Sequence, residues 1–219
     1  MINAAHGGSD NGAQGPSGTV EKDIVLRFAR QIRAEFERQG FRTVMTRNDD
    51  SNPSYEDRAA VANGYHDAIF ISVHVSSTGK VGTAHVYSYQ YSNSVTPSTG
   101  ATSTAPEDGP KSLVIWEEAQ RPYLETSHRL ADVLQTEIAQ RFTGSSFTST
   151  PFAIRELRSV AAPAIAVELS SVSVPDPNML AAMAAPLASA LVRSVQLSRP
   201  ANNVSRNSSN THEQVAEAN

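Results

Sequence analysis

The segment Ala68-Ile69-Phe70-Ile71-Ser72-Val73 is the part of the chain that most clearly indicates the fold. It is an almost continuous apolar run, as expected of a strand that is buried on both faces of a sheet. Ala164-Ile165-Ala166-Val167 is a second run of this kind. Strands buried on both faces occur mainly in parallel sheets that helices cover. The two runs therefore favour an α/β fold.

Helix-like and strand-like segments alternate around these two runs. Between Glu21 and Gln39 four large apolar residues recur at a spacing of four, which predicts a helix that Gly40 ends. The other predicted elements are strands at 41–46 and 83–89 and helices at 55–63, 121–141 and 177–197, the last of them bent at Pro186. The sequence predicts one α/β domain, with a mainly parallel twisted sheet of about six strands and helices on both faces.

Two polar segments contrast with this domain, which is predicted to occupy residues 1–198. Residues 199–219 are rich in Asn, Ser and charged residues, cannot bury enough apolar surface to order themselves, and are predicted to form a disordered tail. Residues 92–115 are rich in Ser, Thr, Gly and Pro and are predicted to form a flexible insertion. Trp116-Glu117-Glu118 follows this insertion and could plug a site or grip a substrate, or the tryptophan could belong to the core.

The composition excludes several classes of site. The net charge of −4 and the pI of about 5.9 give no footprint for nucleic acid. The chain has no cysteine, so any metal must be held by nitrogen and oxygen ligands. No unbroken apolar run approaches the ~20 residues of a membrane span, and no secretory signal opens the sequence.

Three ionisable residues follow strand-like runs. His6 comes after the short start of the chain, His74 after Val73, and Glu168 after Val167. In open α/β sheets ligands bind at the carboxyl ends of strands, so these side chains are expected to converge. A single histidine at a strand end is more often a hydrogen-bonded structural residue than a ligand, whereas an unpaired carboxylate there is costly.

Six blocks of the sequence stand out together. They are His6-Gly7-Gly8-Ser9-Asp10-Asn11-Gly12-Ala13, Glu21-Lys22-Asp23-Ile24-Val25-Leu26, Thr46-Arg47, Arg58 with Ala62-Asn63, Phe70-Ile71-Ser72-Val73-His74, and Pro163-Ala164-Ile165-Ala166-Val167-Glu168. In this order they resemble the motifs of the zinc-dependent N-acetylmuramoyl-L-alanine amidases of the amidase-3 type. The resemblance covers roughly residues 2–195.

The resemblance implies that His6, Glu21 and His74 hold one Zn²⁺ per chain and that Glu168 is the catalytic carboxylate. Two His and one Glu form a known catalytic zinc set that leaves a position open for water. By position alone, Glu21 could instead be an acidic residue that the helix dipole favours. The resemblance also implies that the bond cut joins N-acetylmuramic acid to L-alanine in peptidoglycan. Arg155 would bind substrate or orient Glu168, or form a structural salt bridge.

Several positions depart from the family pattern, and they could reduce activity or alter the substrate because residues behind a metal's ligands tune the site. They are Asn3, Ala4 and Ala5 before the first histidine, Ser76 after the second, and Leu169, Ser170 and Ser171 after the glutamate.

Two other functions remain open at this point. One is a carboxypeptidase-like zinc hydrolase that cuts another amide, and the other is a metal-binding or wall-binding module without catalysis. For an amidase the expected partner is peptidoglycan, with no nucleic acid, no transmembrane segment and a monomeric state. Its expected location is the cell envelope, the periplasm or the medium, which requires an export signal that a trimmed start would have removed.

Overall fold

The computed structural model of the chain describes residues 1–16, 18–91, 116–173 and 177–198. Within these ranges five strands form one sheet in the order β1-β2-β5-β3-β4. The strands are β1 (Ile2–Ala4), β2 (Phe70–Ser76), β3 (Thr83–Tyr89), β4 (Thr150–Phe152) and β5 (Ala164–Ser170). The helices are α1 (Glu21–Arg38), α2 (Tyr55–Asn63), α3 (Leu124–Arg141), α4 (Arg155–Arg158), α5 (Pro177–Ala181) and α6 (Ala184–Ser198). The predicted insertion at 92–115 and the predicted tail at 199–219 lie outside the described residues.

The sheet is mostly parallel, as predicted. β1, β2 and β5 run parallel to one another, and β4 runs parallel to β3. β3 joins the sheet antiparallel to β5. The predicted α/β class is confirmed, while the described part of the chain contains five strands rather than about six.

Alternate residues of the central strands face two different environments. On one face Val73 and Val75 of β2 and Val167 of β5 belong to the larger core, which α1, α3 and α6 cover. On the other face Phe70 and Ala164 belong to a smaller core under α2 and α4. Towards the carboxyl ends of the strands this second face becomes polar, and His74 and Glu168 lie on it.

The strand predicted at 41–46 is wrong. This segment runs beside β1 but makes a single bridge, between Met45 and Ile2. The carbonyl oxygen of Ala4, which a longer strand would use, instead accepts hydrogen bonds from the guanidinium groups of Arg47 and Arg58 at 2.9 and 2.8 Å. The arginines therefore end any pairing beyond Thr46. Residues 41–43 lie before the point at which β1 begins, since Ile2, its first residue, is opposite Met45.

The bend predicted at Pro186 is also wrong. The C-terminal helical region breaks after Ala181, and α6 begins at Ala184. Pro186 lies in the first turn of α6, where a backbone N–H has no partner within the helix and its loss costs little.

Residues 178–198 are long and apolar enough, by length and composition alone, to cross a membrane. In the structure 56% of the most apolar stretch of this segment is buried, and α6 packs against α1 and α3. A core helix of a globular domain has these properties, so the segment is weak evidence for a membrane span.

Candidate metal centre

His6 lies in the turn that follows β1. Its φ is 59°, in the left-handed region that residues other than glycine seldom occupy. Arg58 of α2 donates a hydrogen bond to the His6 carbonyl oxygen at 2.9 Å. Gly7 continues the turn with a φ of 134°, and a Cβ at this position would overlap the backbone oxygen of Ser51. The glycine is therefore required for the turn that presents the His6 ring.

Glu21 begins α1, and its carboxylate is buried. The backbone N–H groups of Ala13 and Val75 donate to it at 2.8 and 2.9 Å. Burial alone would raise the pKa of Glu21, but hydrogen bonds from His6 and His74 lower it well below its usual range. The side chain is thus a fixed, charged carboxylate.

His74 projects from β2 between two carboxylates. Its Nδ1 atom is 3.1 Å from Oε1 of Glu21, and its Nε2 atom is 2.7 Å from Oε1 of Glu156. Burial lowers the pKa of His74, but the two carboxylates together raise it to about 10. Without a metal the ring is therefore protonated and donates through both nitrogens.

The three predicted ligands meet at one point. One donor atom from each of His6, Glu21 and His74 lies within 4.8 Å of the other two. Gly12 closes this cluster with a φ of 63°, and a Cβ there would lie 2.6 Å from both Oε2 of Glu21 and Cδ2 of His6. Two imidazoles and one carboxylate match the donors of catalytic zinc sites, so the residues fit a zinc ion.

Both histidines have a second carboxylate on the ring nitrogen that faces away from the cluster. Asp10 accepts from Nδ1 of His6 at 2.8 Å, and Glu156 takes the corresponding place at Nε2 of His74. Carboxylates behind metal-bound histidines fix the tautomer and the ring orientation. Glu156 was not predicted from the sequence, because no periodic pattern marks its four-residue helix α4.

Asn3, one of the departures from the family pattern, connects this outer layer to the rest of the fold. Its Nδ2 atom donates to Oγ of Ser72 at 2.8 Å and to Oε2 of Glu156 at 3.2 Å. Its Oδ1 atom accepts from Arg58 and from Thr46, both at 2.6 Å. Asn3 thereby fixes the Glu156 carboxylate from behind.

Glu168 lies on β5 in register with His74 on the neighbouring parallel strand β2. Partners in register lie on the same face of a sheet, about 4.8 Å apart in the direction of the hydrogen bonds. The Tyr87 hydroxyl donates to Oε2 of Glu168 at 3.0 Å. Burial, with Glu168 beside it, raises the pKa of Tyr87 to about 12, so the phenol remains a donor at neutral pH.

Two cavities open on either side of His74 and Glu156. The first, of about 350 Å³, is largely polar, and among its lining residues are His6, Asp10, Asn52 and Arg58. The second, of about 520 Å³, has apolar walls that include Tyr87, Phe152, Ile154 and Ala166, and it contains Glu168. The candidate metal ligands therefore lie between a polar and an apolar surface.

The described contacts of Arg155 are with Glu56 and Tyr55 rather than with Glu168. Its side chain is 75% exposed, with Nη2 3.7 Å from Oε1 of Glu56, and its guanidinium lies over the Tyr55 ring. Tyr55 and Glu56 line the polar cavity, so the described contacts of Arg155 lie beside that cavity. Trp116 is 42% exposed and is not part of the core.

The chain matches the family model of the amidase-3 type, described as N-acetylmuramoyl-L-alanine amidase, over residues 1–196. It is 36% identical over 106 residues to a sporulation-specific N-acetylmuramoyl-L-alanine amidase of Bacillus subtilis, covering 48% of this chain and 40% of that protein. It is 38% identical over 78 residues to the amidase AmiC of Escherichia coli O6:H1, covering 35% of this chain and 19% of that protein. The matches thus span less than half of these two relatives.

Solved structures have the same fold. The CwlD amidase of Clostridioides difficile, solved with the GerS lipoprotein, aligns with a TM-score of 0.67 and 19% identity over 90% of this chain and 95% of that one. The amidase AmiC2 of Nostoc punctiforme aligns with a TM-score of 0.64 and 23% identity over 90% and 93%. Together with the match over residues 1–196, these similarities show that the chain belongs to the amidase-3 family of N-acetylmuramoyl-L-alanine amidases.

Proposed function

We propose that this domain is a zinc-dependent amidase that hydrolyses the amide between N-acetylmuramic acid and L-alanine in bacterial peptidoglycan. The observation that carries the proposal is the convergence of His6, Glu21 and His74 within 4.8 Å, from three separate elements. Glu168 stands one strand away from His74 on the same face. Family membership supplies the substrate.

Zinc held by these three residues would polarise the scissile carbonyl and lower the pKa of a water molecule. Glu168 would accept the proton of the attacking water at its carboxylate and then deliver it to the nitrogen of the departing L-alanine. Tyr87 would keep the carboxylate oriented through its hydrogen bond to Oε2. A carboxylate that can exchange a proton is able to perform both steps.

The two cavities give the substrate a direction. Glu168 must face the leaving nitrogen, and Glu168 belongs to the apolar cavity. We therefore place L-alanine and the rest of the stem peptide against Tyr87 and Phe152, and the muramoyl sugar in the polar cavity beside Asn52 and Arg58. A sugar has hydroxyl and acetamido groups that polar walls can hydrogen-bond.

This orientation predicts that Phe152→Ala raises KM for a muramyl peptide roughly five- to tenfold with little change in kcat, since about 1 kcal/mol of apolar contact is lost. Phe147→Ala is a matched control. Phe147 is 68% exposed and Phe152 is 61% exposed, but Phe147 is not among the residues that line the cavity. Steady-state kinetics on both variants tests the placement. Equal KM values for the two would contradict it.

The function itself is tested with the purified chain, by measuring bound zinc and the release of stem peptides from peptidoglycan. Glu168→Gln is expected to retain zinc and to lose about 10²- to 10⁴-fold in rate, because it removes the proton acceptor. Glu125→Gln, an isosteric change at a side chain that is 88% exposed on α3, should leave the rate unchanged. Zinc without amide cleavage in the wild-type chain would favour a binding module instead.

The site of action follows from the substrate. Peptidoglycan lies outside the cytoplasmic membrane, so we propose that the domain works in the cell envelope, as a monomer with one zinc ion. Separation of cell fractions, with detection of the native protein, tests the location. Light scattering on the purified chain tests the monomeric state.

A further inference from the structure

We propose that Glu156 is a positioning residue that makes His74 bind the metal through Nδ1. This inference rests on the proposed zinc site and adds a residue that the family motifs quoted above do not include. Glu156 is buried on α4 and approaches the metal cluster from the side opposite Glu21.

The direction of the His74 ring is fixed at both nitrogens. Nδ1 faces Glu21, whose other oxygen is 3.2 Å from Nε2 of His6, so Nδ1 faces the cluster. Nε2 faces Glu156 at 2.7 Å. An imidazole that binds a metal through one nitrogen carries its proton on the other, and here that proton has a carboxylate acceptor in place.

Glu156 is itself held on both oxygens. Oε1 faces His74, and Oε2 accepts a hydrogen bond from Asn3, which Arg58 and Thr46 hold in turn. A buried carboxylate with no partner would be costly. The chain from Arg58 through Asn3 to Glu156 therefore fixes the acceptor in place before any metal arrives.

The charge of Glu156 also favours the metal over the proton that competes for His74. A divalent ion carries twice the charge of that proton, so a nearby carboxylate attracts the ion more strongly. Loss of such a partner behind a metal-bound histidine typically weakens metal binding about 10- to 100-fold.

The test compares Glu156→Gln with Glu137→Gln in the full chain. Glu137 is a matched control, because it is also a buried glutamate, 8% exposed, but it pairs with Arg141 and Arg193 away from the metal cluster. Zinc affinity is measured by competition with a chelator, and the ligand geometry by the absorption spectrum of the cobalt-substituted protein. We expect Glu156→Gln to bind zinc about 10- to 100-fold more weakly and to change the cobalt spectrum. Glu137→Gln should match the wild type in both.

A second measurement does not depend on whether a variant folds. In the zinc-loaded wild-type protein, nitrogen-15 NMR should show His74 as the tautomer with the proton on Nε2, and that proton should exchange slowly with water. The opposite tautomer, or unchanged zinc affinity in Glu156→Gln, would overturn this inference alone. No zinc binding by the wild type would overturn the proposed function and this inference with it.

Discussion

The backbone of Gly12 lies so close to Glu21 and His6, two of the proposed metal ligands, that there is no room for a side chain at this position. Any side chain there would meet Glu21 and His6 at the same time. The position therefore controls how closely two of the three ligands can approach each other, although glycine itself binds nothing.

We predict that Gly12→Ala weakens zinc binding at least tenfold, because the new Cβ, 2.6 Å from atoms of Glu21 and His6, must displace both ligands. Gly40→Ala is the matched control. Gly40 also has a positive φ, of 80°, but no atom lies within 4 Å of its would-be Cβ. Both variants should lose about 1 kcal/mol of unfolding free energy from backbone strain, and chelator competition should show weaker zinc binding only for Gly12→Ala. Similar zinc affinities for the two variants would contradict this prediction.

At the scale of single residues, the clustering of His6, Glu21 and His74 was predictable from the sequence, whereas the residues that support them were not. His6 and His74 end strand-like runs, so topology alone brings them together. Glu21 was assigned from the family motif. In the structure it is the first residue of α1, and the backbone N–H groups of Ala13 and Val75 hold its carboxylate in place. Glu156 could not be found, because what gives it a role is a contact with a residue 82 positions earlier in the chain.

Among the elements, β1 depends on two arginines for its position. Arg47 and Arg58 are buried and donate to the carbonyl oxygens of Ala4, Ala5 and His6. Burial lowers the pKa of both guanidinium groups, yet an arginine remains charged at neutral pH. This explains why both residues belong to the family-like motifs although neither is hydrogen-bonded to the side chains of His6, Glu21 or His74.

We predict that Arg58→Lys lowers the free energy of unfolding by about 2–4 kcal/mol, because an ammonium cannot serve all the buried acceptors of Arg58 and leaves some unsatisfied. Those acceptors include Oδ1 of Asn3 and the oxygens of Ala4, His6 and Pro53. Chemical denaturation of the metal-free protein measures the change. Arg129→Lys, at a pair on the surface of α3, should stay within about 0.5 kcal/mol of wild type. A tolerated Arg58→Lys would show that lysine and water can replace the guanidinium.

Element boundaries were predictable where the pattern is local and failed where distant side chains intervene. The helix at 55–63 was predicted at its observed bounds, and its Ser54–Asp57 capping box marks its start. The strand at 41–46 did not form, because β1 begins at Ile2 opposite Met45 and residues 41–43 therefore have no residue of β1 beside them. Beyond Thr46, Arg47 and Arg58 occupy the acceptor at Ala4. β4 is too short for its sequence pattern to reveal it.

For the molecule as a whole, metal binding and folding should be linked through pH. In the metal-free folded chain the pKa of His74 is raised from 6.5 to about 10. A raised pKa contributes stability that is complete below pH 6.5 and is lost as the pH rises towards 10. Zinc bound at the proposed site would displace the proton on Nδ1 of His74, so its binding would release at least one proton.

We therefore predict that zinc affinity rises roughly tenfold for each pH unit between about 6.5 and 8. The increase in Tm that zinc produces should grow over the same range, because zinc binds the folded state and the metal-free state is losing stability. Calorimetry in buffers of different ionisation enthalpy counts the released protons, and thermal unfolding with and without a chelator measures the Tm. An affinity independent of pH would contradict the protonated state of His74.

The alternation of polar and hydrophobic residues along β2 and β5 links the register of these strands to the position of the reactive groups. His74 and Glu168 alternate along these strands with Val73, Val75 and Val167, so the same two strands form both the polar face and the hydrophobic face of the sheet. A slip of one residue in register would turn the charged groups under α1 and α6 and expose the valines to water. Correct packing of the hydrophobic core therefore also places His74 and Glu168 on the proper side of the sheet.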